Sequence, residues 1–261
     1  MAMSRSTGLH LETREGLVKL HDTIASILPD AVVLAHGPTS PEWCHTHPAA
    51  SLAIHAESAG VVAESGARIV LVSSDVVFDG VATVFHVDDR PRPVTSYGRA
   101  KLEAERRLIG VHDARIVRVA MVYGNSRPGN SFAERVLHAL AVGRAVEAPI
   151  DQFISPVYVE DVAEVVAAAA LSADAPRLLH LGGPMRMSRY QFASEAARQL
   201  GASLDLVRPV KRAGTIWELR PKHSSLATSW APPGLLRRGL VHPPEGLRMT
   251  IERISAVAGR S

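Results

Sequence analysis

The stretch ARIVLVSSDVVFDG, Ala67–Gly80, runs from an apolar, β-branched tract into Ser73, Ser74 and Asp75. A short apolar run bounded by polar turn residues is how a strand buried on both faces reads. Two similar runs accompany it. ILPDAVVLAHG ends a helix at Leu28–Asp30 and continues as a valine-rich strand closed by Gly37, and ARIVRVAMVYG supplies another strand from Ala114. Segments of helical period lie between them, at about Pro48–Ser65 and in the charged SYGRAKLEAE, Ser96–Glu105. This alternation predicts an α/β fold around a parallel sheet. In such sheets ligands bind at the carboxyl ends of the strands, where Ser73, Ser74 and Asp75 fall. The same three residues also suit a plain strand-end hydrogen-bond cluster.

Beyond Gly143 the pattern loosens into a smaller C-terminal lobe. It holds a helix over Val159–Ser172, a short strand LLHLGG, a helix over Ser188–Leu200, a proline-rich tract and a final helix near Glu245–Ala258. The division expected is a domain of residues 1–143 and a lobe of 144–261 interleaved with it. The chain has no internal repeat and no Gly/Ser-rich linker.

Composition removes several classes. Over 261 residues, 46% hydrophobic and 21% charged residues are ordinary for a folded globular chain. The net charge is +3 with the basic residues scattered, so neither nucleic acid nor a membrane surface is an expected partner. The longest apolar stretch, VVAAAALSA from Val165, is far short of the roughly 20 residues of a membrane span. A single cysteine, Cys44, and the absence of an apolar leader at the N-terminus point to the reducing cytoplasm. In WCHTHP, Trp43–Pro48, one Cys and two His stand together, but no second ligand cluster follows at a usual spacing. The segment reads as a surface loop before a helix opened by Pro48, and no metal is expected.

Tyr97 and Lys101 are spaced to stack on one helix face. A nearby ammonium favours the phenolate and would lower the tyrosine pKa from about 10, tuning it as a general acid. With Ser74 at the end of the neighbouring strand hydrogen-bonding a carbonyl oxygen, Tyr97 would protonate it. By spacing alone, a solvated lysine beside a half-buried tyrosine is the commoner outcome.

The motifs taken together resemble the extended short-chain dehydrogenase/reductase superfamily, in its dTDP-4-dehydrorhamnose reductase (RmlD-like) branch, over about residues 6–258. VLVSSDVVFDG resembles the family's strand end, with Ser74 at the catalytic Ser/Thr position and Val76 where a tyrosine is usual. SYGRAKLEAE is similar to its active-site helix. VRVAMVYG, GNSFAERVLHALAVG, DQFISPVYVEDVAEVV and RPKHSSLATSWA follow in the family's order. The resemblance implies a Rossmann-like doubly wound sheet, NADP or NAD as cofactor, and a keto sugar nucleotide as substrate. It makes Tyr97 the proton donor, Lys101 a holder of cofactor ribose, and Ser73 a further cofactor neighbour. It places Asp75, Asn130, Asp151, Gln152 and Arg220 around the substrate, with the Arg220 fork suited to phosphate.

The chain departs from that pattern at its start. No strand, Gly-x-x-Gly-x-x-Gly turn and helix precedes the first clear strand, although that unit seats the dinucleotide's diphosphate. Leu34 and His55 stand where the family has asparagines, on the side where cofactor would lie. Without the glycine-turn strand, DAVVLAH becomes an open sheet edge. Chain upstream of Met1, a second copy or partner, or the N-terminal residues folding back would cover it. Three functions stay open: a reductase of a keto sugar nucleotide, an enzyme of the same fold using no nicotinamide for acid/base dehydration, epimerisation or cyclisation, and a non-catalytic binding or regulatory subunit.

Overall fold

The computed structural model describes residues 2–3, 8–124 and 131–258. The chain runs α1 (Arg14–Ile27), β1 (Ala31–Leu34), α2 (Pro41–Thr46), α3 (Pro48–Leu52), a π-turn (Ala53–Glu57), α4 (Ser58–Ala63) and β2 (Arg68–Ser74). A 3-10 turn (Asp75–Val77), α5 (Ser96–Leu108), β3 (Ala114–Val119), β4 (Val122–Tyr123) and α6 (Phe132–Ala141) follow. Then come β5 (Val146–Pro149), β6 (Phe153–Ile154), β7 (Val157–Tyr158), α7 (Val159–Leu171), β8 (Leu178–Leu181) and β9 (Met187–Ser188). The described chain ends with α8 (Arg189–Leu200), β10 (Val207–Val210), β11 (His223–Ser224), α9 (Pro233–Arg238) and α10 (Pro243–Ala258).

The fold is α/β and Rossmann-like. It divides into two compact units, the first made of 1–79, 87–118 and 166–179, the second of 80–86, 119–165 and 180–261. The chain therefore passes repeatedly between the two units. Among the described residues no helix is long and apolar enough to cross a membrane.

In the first unit the sheet order is β1-β2-β3-β8, with β1 parallel to β2 in the register Ala31↔Arg68 to Leu34↔Leu71. β1 is the edge, as DAVVLAH predicts, and Val33 is 44% exposed. The Arg68 N–H donates to the Asp30 carbonyl. Because residues of a parallel strand alternate in the neighbour they bond, Val32 and Leu34 share that side, and Ala31 and Val33 turn their backbone groups outward. The N-terminal residues fold back beside this edge. Thr13 caps α1 by accepting from the Gly16 N–H, and Leu20 and Ile24 of α1 join Leu9, Leu11, Leu34 and Ile54 in one apolar cluster.

Two local expectations are corrected. The helix read over Pro48–Ser65 is one helical run interrupted by the π-turn, an insertion that apolar periodicity does not register. WCHTHP is no surface loop: Ser40 accepts from the Trp43 N–H, Pro41 opens α2, and Cys44 is fully buried. In the second unit the proline-rich tract contains β10, paired in parallel with β5 as a two-stranded sheet, where every strand is an edge and prolines fit. Tyr123, Phe132, Ile154, Tyr158 and Phe192 form that unit's core.

Candidate active site

The sheet, the 3-10 turn and α5 bring Ser73, Ser74, Asp75, Tyr97 and Lys101 together in the first unit. Their approach depends on Gly98. α5 opens with Thr95 accepting from the Gly98 N–H at 2.9 Å, and a Cβ on Gly98 would lie 2.1 Å from the Val76 carbonyl oxygen. Only a glycine after Tyr97 lets the first turn of α5 press against the 3-10 turn that follows β2.

The Ser74 hydroxyl stands beside the Tyr97 phenol, close enough to favour its ionised form. Ser74 Oγ donates to Asp75 Oδ1 at 2.8 Å. Burial, and then the Asp75 carboxylate, push the phenol above its ordinary range, with the Ser74 hydroxyl opposing them. This reverses the expectation from spacing. Lys101 is buried, its Nζ donates to the Val72 carbonyl at 3.0 Å, and burial pulls its pKa down to about 8. Turned to the backbone, the ammonium does not offset the burial of Tyr97. The phenol is a held proton, suited to an acid that gives it up only to a developing oxyanion.

Ser73 is committed elsewhere: its Oγ donates to Glu105 Oε1 at 2.5 Å. Arg118 Nε and Nη2 donate to the same carboxylate at 3.0 and 2.7 Å, and its guanidinium lies 5.2 Å from the Phe78 ring centroid. This buried pair ties α5 to β3 beneath the site.

Two histidines that sequence reasoning left without a role complete the cluster. The His55 ring meets Tyr97 edge-on at 5.4 Å and lies 6.2 Å from His36. His36 Nε2 is 2.7 Å from the Ile54 carbonyl, and His55 Nε2 is 3.2 Å from the Pro38 carbonyl. Burial lowers their pKa values to about 4 and about 2, so both rings are neutral. The signals for them were His36 at a strand end and His55 in place of an asparagine.

Asp151, Gln152 and Arg220 belong to the second unit. Gln152 is buried, donating to the Pro221 carbonyl at 3.0 Å and accepting from Arg189 Nε at 2.7 Å. Asp151 accepts from the Arg212 N–H at 2.8 Å, and the Arg220 guanidinium lies 5.0 Å from the Trp217 ring. Asn130 lies outside the described residues. Among those residues, no group of three His, Cys, Asp or Glu side chains is placed to hold a metal ion.

A dinucleotide needs backbone N–H groups at a glycine turn opening a helix. After β1 the chain passes Gly37 into six-residue α2, whose Ser40 cap already takes the Trp43 N–H. Lys101 is spent on Val72, and the His55 ring abuts both Tyr97 and Gly37. The described residues do not fit the diphosphate of NAD or NADP.

Comparison with known proteins returns a match to the RmlD substrate binding domain over residues 7–235. The chain is 32% identical over 195 residues to the dTDP-4-dehydrorhamnose reductase of Mycobacterium tuberculosis, covering 70% of this chain and 64% of that one. It is 25% identical over 221 residues to the methionine adenosyltransferase 2 subunit beta of Bos taurus, covering 80% of this chain and 66% of that one. It thus spans slightly less than two thirds of each relative's length. The fold is shared with the dTDP-4-dehydrorhamnose reductase of Bacillus anthracis in complex with NADP, at a TM-score of 0.78 and 22% identity over 95% of this chain and 87% of that one.

Proposed function

The chain belongs to the RmlD substrate binding domain family, and from that premise we propose that it is a reductase-like protein that binds a keto sugar nucleotide, with Tyr97 as the proton donor to the keto oxygen. The observation that carries the reading is the buried Tyr97 beside Ser74 and Asp75, its phenol kept protonated by burial and the Asp75 carboxylate. An oxygen seated between the two hydroxyls would take a hydrogen bond from Ser74 and the proton from Tyr97 as charge develops on it. Lys101, one turn further along α5, is the proposed partner of Tyr97 in this step. Asp75, Asn130, Asp151, Gln152 and Arg220 are the proposed substrate contacts, with Arg220 for phosphate.

NADP or NAD would supply hydride in a full reduction. Since the described residues do not fit the diphosphate, we assign this chain the substrate-binding and proton-transfer part of that chemistry and derive no hydride step. Titration with NADPH and NADH, followed by turnover with dTDP-4-dehydrorhamnose, tests the assignment. The expected result is loss of about a hundredfold in any turnover on Tyr97→Phe, with stability unchanged.

A binding or regulatory subunit is the second reading, favoured by the likeness to methionine adenosyltransferase 2 subunit beta. On that reading Tyr97→Phe leaves the biological effect intact.

A further inference from the structure

Tyr97, Lys101 and Glu105 stand at i, i+4 and i+8 along α5, and all three are buried, so they form one inward face of the helix. That face lies on the end of β2. Tyr97 stands beside Ser74, Lys101 Nζ donates to the Val72 carbonyl at 3.0 Å, and Glu105 Oε1 accepts from the Ser73 hydroxyl at 2.5 Å. On the reading of Tyr97 and Lys101 as the proton-transfer pair, we propose that Glu105 is a positioning residue for it: a carboxylate, itself held by Ser73 and Arg118, that keeps Lys101 in its ammonium form beside the site.

The carboxylate is gripped from two strands. Ser73 reaches it from β2, and Arg118 from β3 donates through Nε at 3.0 Å to Oε1 and through Nη2 at 2.7 Å to Oε2. A guanidinium bonded to both oxygens fixes the direction of the carboxylate as well as its charge. Glu105 is 3% exposed and Lys101 4%, so the two charges, one helical turn apart, are screened little by solvent or salt.

The other titratable groups around Lys101 are neutral near pH 7. They are Tyr97 one turn before it, Cys44 of α2, His36 after β1 and His55 in the π-turn. Burial raises the phenol and the thiol and holds both rings unprotonated. Glu105 is therefore the charge in this group that opposes the burial of Lys101.

Without the carboxylate, burial alone acts on Lys101, and the ammonium gives up its proton at a lower pH. At this separation in a protein interior, loss of one charge should change the proton affinity about tenfold, or about one pH unit. A carboxylate that merely braced α5 against β3 would change stability and leave that midpoint where it was.

The test follows Lys101 in the full chain without substrate, by ¹³C spectra of protein labelled at lysine Cε. The chain has four lysines, and Lys101→Met identifies the resonance. In the wild type the midpoint should lie near 8, and the carboxyl ¹³C resonance of Glu105 should show an inflection at the same pH. In the double variant Glu105→Leu with Arg118→Met, which removes both members of the ion pair, the Lys101 midpoint should fall by about one pH unit. Ser73→Ala loosens the same network and keeps both charges, so it should lower the unfolding temperature and leave the midpoint in place. An unmoved midpoint in the double variant, an equal fall in Ser73→Ala, or a wild-type Glu105 resonance with no inflection would overturn the proposal. The last is read whether or not the double variant folds. Because no substrate is present, any of these results would leave the role of Tyr97 to be judged by turnover alone.

Discussion

Lys101 gives the site a stability signature that can be read without any substrate. Burial holds its folded pKa near 8, against 10.5 for an ordinary lysine. Between those two pH values the unfolded chain binds a proton that the folded chain has released, so stability rises with pH through the window and the penalty is fully present below it. Each pH unit of that difference is about 1.4 kcal/mol, or roughly 3 kcal/mol in all. The perturbation is Lys101→Met, which keeps the stem and removes the charge. Urea unfolding of both proteins from pH 7 to 9.5 should show the advantage of methionine shrinking by roughly 2 kcal/mol over the range, on a constant offset of about 1 kcal/mol for the lost bond to Val72. Tyr97, whose pKa is raised, has the opposite sign, since the folded chain keeps a proton above about pH 10 that the unfolded one loses. Cys44, also raised by burial, acts in the same direction as Tyr97. Both are common to the two proteins and cancel in the difference. A wild-type-minus-variant stability independent of pH would refute a buried, proton-poor Lys101.

Three further outcomes follow from the geometry. Glu105→Gln leaves Arg118 buried without its counter-charge and should cost about 3–5 kcal/mol in urea unfolding, whereas the double change Glu105→Leu with Arg118→Met should recover most of the loss. Ser73→Ala removes one bond to the same carboxylate and should cost about 1–2 kcal/mol by the same measurement. Gly98→Ala forces a methyl group onto the Val76 carbonyl and should cost about 1–3 kcal/mol in thermal unfolding; turnover, where present, should fall beyond what the unfolded fraction explains, because Tyr97 is carried off Ser74.

The strands from Ala31, Ala67 and Ala114 were legible because each is a short apolar run with a polar end, and Ser74 and Tyr97 meet because both lie at element boundaries that the pattern marks. Burial was not legible. An i, i+4 spacing puts Lys101 and Tyr97 on one face, yet only the packed structure turns the ammonium to Val72 and raises the phenol instead of lowering it. Ser73 read as a site residue because it precedes Ser74. Its partner Glu105 and that residue's partner Arg118 lie on different elements, and no local signal links them. Gly98 was hidden inside a helical pattern, where glycine reads as a mere weakness, and the π-turn holding His55 leaves no trace in apolar spacing.

The threading of the first unit sets a timetable for its assembly during synthesis. β8, which completes the four-stranded sheet beside β3, is made only after the chain has left Val119 and run on to Leu178. At about 5–20 residues per second that interval lasts several seconds. Throughout it β3 has no neighbour on its far side, and its valine- and isoleucine-rich strand is an open template for other chains. During synthesis the sheet therefore has a second open edge at β3 in addition to the one that β1 keeps in the finished fold.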